Sequence, residues 1–373
     1  MSDFKLPPVS TLIGSTIANY FRILKQGHVS SRYRYKIFLT TITIIVTTPF
    51  HWWEKLYFHF KLKKTKFNKP TLFILGHWRS GTTLLHNMLC TDPDSSYLTT
   101  YQSVFPNNLA SKSIFKTYMA ANIPEKRPSD NMKLGIDMPQ EDEFAFSNSY
   151  HHSYYNFFYF PLNYDAFYKR ALHFEGLKEW EKKKWYRSYD TLLKKAYINT
   201  KGNRLIIKNP VNTARIKMLL KLYPDAKFLY IYRNPISVFL STQRFFRNLL
   251  PTLNLEDVSD VFIDNMIFDV YKRLMEDYLE QKSLIPENNL IELRYEDFEK
   301  DPVYKLKNIY DNLLNEDFES VKGLLSTYFD TLKGYKKNKY NIDAEIINRI
   351  KKEFGKYMEL YNYDIPPDIV IKN

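Results

Sequence analysis

The chain has 373 residues, of which 44% are hydrophobic, 17% aromatic and 25% charged. That apolar share supports a sizeable core and excludes a disordered chain, and the length suits one α/β unit carrying insertions. The net charge of +13 favours anionic partners or simply keeps the chain soluble, and a single cysteine, Cys90, excludes an intrachain disulfide.

Met1–Pro8 is polar and lacks a short apolar block, so no cleavable signal peptide is expected. Residues 9–67 read as helical and basic. Within them, Ile37 to Trp53 holds no Asp, Glu, Lys or Arg, is diluted by five threonines, and is interrupted by Pro49. It lies at the lower limit of the roughly 17–25 residues a spanning helix needs. Arg32, Arg34 and Lys36 precede it, Lys61, Lys63, Lys64 and Lys66 follow it, and Trp52, Trp53 and Tyr57 mark one border. An interfacial helix on an anionic bilayer fits this pattern, giving peripheral membrane contact through residues 37–53. A helix buried against the main domain fits it equally. The expected organisation is a helical segment over 1–68 and a catalytic domain over 69–373.

From Pro70 short apolar runs alternate with amphipathic segments. Thr71–Leu75 is a strand candidate, and a helix is expected from about Gly81 to Cys90. Between them runs Gly76-His77-Trp78-Arg79-Ser80-Gly81-Thr82-Thr83. A strand entering a glycine-bounded loop and then a helix aims backbone N–H groups at one spot, which suits a phosphate. The spacing is that of the nucleotide triphosphate loop, but Thr82 stands at its lysine position. Further along, Asp137 to Glu143 holds four acids in seven residues, and Phe144 to Tyr168 holds 12 aromatics in 25, His151 and His152 among them. These open an insertion over about 141–200, which either lines an acceptor pocket or buries its own core.

Arg204–Ile207 and Lys227–Tyr232 are the next strands. Each runs into a cation and an Asn-Pro pair: Lys208-Asn209-Pro210, then Arg233-Asn234-Pro235. Asn caps a helix and Pro suits its first position, so helices are expected over Val211–Leu222 and from Ile236. Leu290–Leu293 is the last core strand. Alternating strands and helices imply an α/β class: a three-layer, P-loop-like parallel sheet flanked by helices, with ligands at the carboxyl ends of the strands. No strand ends in an acid able to hold magnesium opposite Thr83. No metal-ligand pattern is present, so no metal site is expected.

Arg79-Ser80-Gly81-Thr82-Thr83-Leu84 resembles the phosphosulfate loop of sulfotransferases, with arginine in the place of the commoner lysine. That resemblance implies transfer of a sulfuryl group from 3′-phosphoadenylyl sulfate to a hydroxyl, without a metal. It implies that Arg79, Ser80, Gly81, Thr82 and Thr83 bind the donor. Arg233 and Ser241, eight residues apart, match the pair that binds its 3′-phosphate, and Lys208 matches a lysine set against the transferring group. Leu293-Arg294-Tyr295-Glu296-Asp297-Phe298 resembles a structural element that follows the last core strand. Gly334–Tyr340, with Lys336, Lys337 and Lys339, resembles the late basic loop over the nucleotide. The resemblance spans residues 71–361 and is nearest to the bacterial group.

The base that takes the acceptor's proton departs from the family pattern, because Thr99-Thr100-Tyr101-Gln102 offers neither acid nor histidine. Glu141 and Glu143 are the candidates. Asp142 points away from both if the chain is extended, and His151 and His152 come next. The acceptor is expected to be a small molecule, lipid or glycan rather than nucleic acid, and the location the cytoplasm, up to the inner face of the membrane. The competing readings are a magnesium-dependent kinase or NTPase, which needs the missing lysine and acids, and a non-enzymatic basic protein, which leaves the loop and the strand-end cations unexplained.

Overall fold

The computed structural model describes residues 9–123, 134–332 and 340–372. In chain order the elements that matter are helix α1 (Ile17–Leu24), helix α2 (Arg34–Lys64), strand β1 (Leu72–Leu75), helix α3 (Thr82–Leu89), and strands β2 (Ser95–Ser96), β3 (Arg204–Lys208), β4 (Lys227–Tyr232) and β5 (Leu290–Arg294). By internal packing the chain forms two units. The first comprises residues 1–71, 94–207 and 247–260, and the second 72–93, 208–246 and 261–373.

In the second unit β4 lies between β1 and β5, parallel to both, with Phe73 opposite Phe228 and Leu229 opposite Ile291. The β1 sequence Leu-Phe-Ile-Leu is buried at every position, as a central parallel strand requires. Tyr230 stacks on Tyr278 of the helix Asp260–Gln281 at 3.6 Å between ring centres, and Phe239 stacks on Phe268 of the same helix. The expected parallel α/β architecture is therefore present.

In the first unit β2 runs parallel to β3, with Ser95 opposite Arg204. The aromatic insertion fills its own core. Tyr154, Tyr155, Phe157, Phe158, Tyr159 and Phe160 are all buried, and Trp185 stacks on Tyr189 while meeting Phe146 edge-on. Of the two readings of this stretch, the self-buried core describes these residues.

Helix α2 continues as one helix through Pro49, the residue that interrupts its apolar run. A mid-helix proline removes one backbone bond and costs about 3 kcal/mol in isolation. Here one helix face, from Thr40 through Ile44, Thr47, His51 and Glu54 to Phe58, is buried on both sides of the proline, and that packing holds the helix. Glu54 Oε1 accepts from Lys195 Nζ at 2.6 Å, and its Oε2 accepts from the Ala110 N–H at 2.6 Å. Lys195 also donates to the Pro106 carbonyl at 3.1 Å. Burial lowers the pKa of Lys195, with Glu54 opposing the shift. Among the described residues no helix is long and apolar enough to cross a membrane.

Removing one member of a buried ion pair strands the other charge. Lys195→Ala is expected to lower unfolding stability by about 3–5 kcal/mol, whereas the paired replacement Glu54→Leu/Lys195→Met recovers most of it. Urea unfolding followed by circular dichroism measures both.

Candidate active site

Residues from separate parts of the second unit converge after β1. The loop from Gly76 to Gly81 is a tight turn, with Gly76 at φ +136°, Arg79 at +68° and Gly81 at +98°. Glycine is required at its ends. A Cβ at Gly76 would sit 2.3 Å from the Ile231 carbonyl oxygen, and one at Gly81 would sit 2.3 Å from Tyr295 Cδ2. Arg79 holds the left-handed region without that freedom, the kind of local strain that the surrounding fold must sustain. The Ser80 N–H donates to the His77 carbonyl at 3.2 Å, and the Gly76 N–H to Thr213 Oγ1 at 2.9 Å. Gly81 then caps α3, whose first turn carries Thr82 and Thr83.

The two Asn-Pro units behave alike, as expected. Asn209 Oδ1 accepts from the Val211 N–H at 3.1 Å, and Asn234 Oδ1 from the Ile236 N–H at 3.0 Å. The first opens a 3-10 turn, Pro210–Ala214, followed by a short helix, Ile216–Leu222, in place of the single helix expected over 211–222. Arg215, at φ −117° and ψ 14°, separates the two, and the turn keeps Thr213 against Gly76.

Lys208, at the end of β3, is buried, and its Nζ donates to Thr83 Oγ1 at 3.2 Å. Arg79 Nε donates to Ser241 Oγ at 2.9 Å, and its guanidinium carbon lies 5.7 Å from the centre of the Phe245 ring. Arg233 donates to the Arg79 carbonyl at 3.3 Å and lies over the Tyr295 ring at 4.3 Å. Arg79 within the glycine loop, the cations Lys208 and Arg233, and the hydroxyls of Thr83, Thr213 and Ser241 thus gather at one place. Arg79 bonds directly to Ser241, so it sits with a residue expected at the 3′-phosphate. Lys339, and with it Lys336 and Lys337, lies outside the described residues.

Sequence reasoning missed the aromatic walls. Tyr295 closes on Gly81 and carries Arg233 on its face. The Arg-Tyr-Glu-Asp stretch, expected to be structural, sets its tyrosine against the loop. Glu296 fixes the neighbouring corner, accepting from the Asn234 N–H at 3.2 Å and from Tyr363 OH at 2.6 Å. His77, inside the loop, is fully buried. Burial pushes its imidazole down to about 4, so it is neutral at pH 7, and its Nδ1–H donates to the Trp78 carbonyl at 2.9 Å. It adds no charge to the site.

The acidic group lies in the first unit. Glu141 caps the helix Asp142–Ser149, so Asp142 and Glu143 occupy a first helical turn and the extended-chain argument about Asp142 does not apply. Asp142 is buried and accepts from Tyr189 OH at 2.6 Å. Glu143 is also buried, and its Oε1 accepts from Ser153 Oγ at 2.8 Å and from the Tyr154 N–H at 2.9 Å. Glu141 is half-buried and accepts from Tyr155 OH at 2.5 Å. Burial, with the adjacent His152, holds the His151 pKa down at about 3, and His152, also lowered by burial, lies 3.3 Å from Glu181. Among the described residues no three His, Cys, Asp or Glu side chains form a metal-ligating group.

Residues 70–319 match the Sulfotransferase family. The chain belongs to that family. It is 30% identical over 355 residues to the omega-hydroxy-beta-dihydromenaquinone-9 sulfotransferase Stf3 of Mycobacterium bovis, covering 94% of this chain and 91% of that protein. Its fold matches the sulfotransferases STF1 of Mycobacterium tuberculosis and STF9 of Mycobacterium avium, each with a TM-score of 0.64. Identities are 14% and 15%, with coverage of 91% of both chains for the first, and of 97% of this chain and 99% of the other for the second. The sulfotransferase is thus an enzyme that moves a sulfuryl group from a donor to an acceptor.

Gly81→Ala is expected to destabilise this sulfotransferase by about 1–3 kcal/mol, because the new methyl meets a rigid ring while the backbone keeps a left-handed angle. Tyr295→Ala in the same chain relieves only the steric part. Thermal melts of the single and double variants separate the two contributions.

Proposed function

We propose that this sulfotransferase takes its sulfuryl group from 3′-phosphoadenylyl sulfate and delivers it to a hydroxyl on a lipid-like acceptor, at the inner face of the membrane. The observation that carries the donor reading is the linked set Arg233, Arg79 and Ser241 beside the glycine loop, with Lys208 on Thr83. Such a set fits an anion with two separated phosphate groups. Arg233 and Ser241 hold the 3′-phosphate. The loop N–H groups, Thr82, Thr83 and the start of α3 hold the 5′-phosphosulfate. Ser80 and Gly81 supply the turn. Lys208 and Arg79 stabilise the charge that builds on the sulfuryl oxygens and on the departing phosphate.

The reaction is an in-line displacement. The acceptor oxygen bonds to sulfur, the bond from sulfur to the phosphate oxygen breaks, and adenosine 3′,5′-bisphosphate leaves. The acceptor proton passes to a carboxylate. Glu143 is already engaged by Ser153 and Tyr154 in holding the start of a 3-10 turn, which favours Glu141 as the base and Tyr155 as the group that orients it. The acceptor reading rests on Stf3, whose name specifies a hydroxylated menaquinone, and on the segment 37–53, which gives the enzyme peripheral contact with a membrane.

Adenosine 3′,5′-bisphosphate is expected to raise the thermal midpoint, and ATP with magnesium is not. Losing a charge-assisted bond to phosphate costs about 1.5–3 kcal/mol, so Arg233→Ala weakens bisphosphate binding about 10- to 150-fold in calorimetry. Binding equal to that of the unaltered chain would refute the donor assignment.

Glu141→Gln is expected to lower turnover about 10²–10⁴-fold with bisphosphate affinity intact, and Tyr155→Phe to lower it less. Transfer of labelled sulfate to the lipid fraction of a lysate measures both. Full turnover in Glu141→Gln moves the assignment to another group.

A further inference from the structure

Helix α2 is amphipathic the wrong way round for a packed helix. Its protein-facing stripe carries Thr40, Thr47, His51 and Glu54 beside Ile44 and Phe58. Its outward stripe, in steps of three, four and seven, carries Phe38, Ile42, Ile45, Trp52, Leu56 and Phe60, all exposed, with Trp52 at 68% and Phe60 at 67%. A surface helix normally turns its polar side to water. Thr40 and Glu54 find their partners on the inward side. Thr40 Oγ1 accepts from the Ser10 N–H at 2.9 Å, and Glu54, the helix's single acid, is held by Lys195. Burial lowers the His51 pKa to about 4, so that side chain is uncharged at neutral pH.

Charge is arranged to match. No acid lies on the outward stripe, while Lys61, Lys63, Lys64 and Lys66 are exposed at its carboxyl end and Arg34 at its amino end. Two other bases of the flanks turn elsewhere: Lys36 donates to the Thr252 carbonyl at 2.9 Å, and Arg32 pairs with Asp257. With 31 residues, α2 is about 46 Å long. It is too polar on its inner side to span a bilayer, yet presents an uninterrupted apolar face with cations at both ends. That combination suits a helix lying in the plane of the interface, with its rings among the acyl chains and its lysines at anionic headgroups.

We propose that the whole outward face of α2, from Phe38 to Phe60, is a monotopic docking surface for an anionic lipid bilayer. The inference rests on the reading of residues 37–53 as a membrane contact. It extends that reading by a further two turns and fixes which face enters the lipid. An enzyme so docked works beside acceptors that do not leave the membrane.

The test uses the full chain and vesicles of phosphatidylcholine and phosphatidylglycerol in equal parts, with phosphatidylcholine alone as the comparison. Co-sedimentation with the anionic vesicles is expected, with Trp emission quenched by brominated lipid. Ile42→Glu/Ile45→Glu and Leu56→Glu/Phe60→Glu are each expected to reduce partition more than tenfold, and Lys61→Glu/Lys63→Glu/Lys64→Glu several-fold. All substituted side chains are exposed, and stabilisation by adenosine bisphosphate serves as a check on folding that is independent of lipid. If Leu56→Glu/Phe60→Glu partitions like the unaltered chain while Ile42→Glu/Ile45→Glu does not, the extended face is wrong and the shorter contact stands. If the unaltered chain stays in the supernatant with both vesicle types, both fail. A dimer that either glutamate pair splits, without vesicle binding, assigns the face to a second copy of the chain and overturns the proposal.

Discussion

The loop after β1 exists only because its backbone can turn left-handed in three places. Gly76 and Gly81 do so freely, and the space a side chain would need at each is already filled, by the Ile231 carbonyl and by the Tyr295 ring. Arg79 does so at a cost that its surroundings meet. Its carbonyl accepts from Arg233 and its guanidinium bonds Ser241, so the strained residue is held at both ends. The rest of the donor site depends on this turn. The direction in which α3 starts, the reach of Lys208 to Thr83, and the approach of Arg233 all follow from a loop that closes within six residues.

Around that loop, charge is brought in by repetition. Strand, cation, Asn-Pro is a local device: the strand delivers the cation to its carboxyl end, and the Asn side chain starts the next element with a single hydrogen bond. Used twice, it sets Lys208 and Arg233 at the ends of β3 and β4. Aromatic rings then take part in holding the cations. Arg233 lies on Tyr295, and the adjoining Arg294 lies on Tyr363 at 4.3 Å. A chain with 30 tyrosines uses them here as walls and as hydrogen-bond donors to carboxylates.

The same donors decide the fate of the acidic cluster. Three consecutive carboxylates, Glu141, Asp142 and Glu143, differ by what reaches them. Two are buried and engaged by groups that build the first unit, and one remains half-buried with a tyrosine hydroxyl on it. Their order along the chain carries no hint of this division.

What could be read from residue order is what depends on near neighbours. The apolar run of β1, the glycine spacing, the Asn-Pro caps, the cations at strand ends and the family likeness of Arg79–Leu84 are all encoded within a few residues. Fold class and sulfuryl transfer followed from them. Tertiary structure decided what depends on partners far along the chain. Arg79 meets Ser241 across 162 positions, and Glu54 meets Lys195 across 141. The second contact lies on the face of α2 whose packing carries the helix through Pro49. A buried acid must be paired, and Lys195 pairs this one on the stripe that faces inward. Residue order leaves a buried helix and an interfacial helix equally open, because hydrophobic periodicity counts apolar residues and has no knowledge of where a compensating charge will stand.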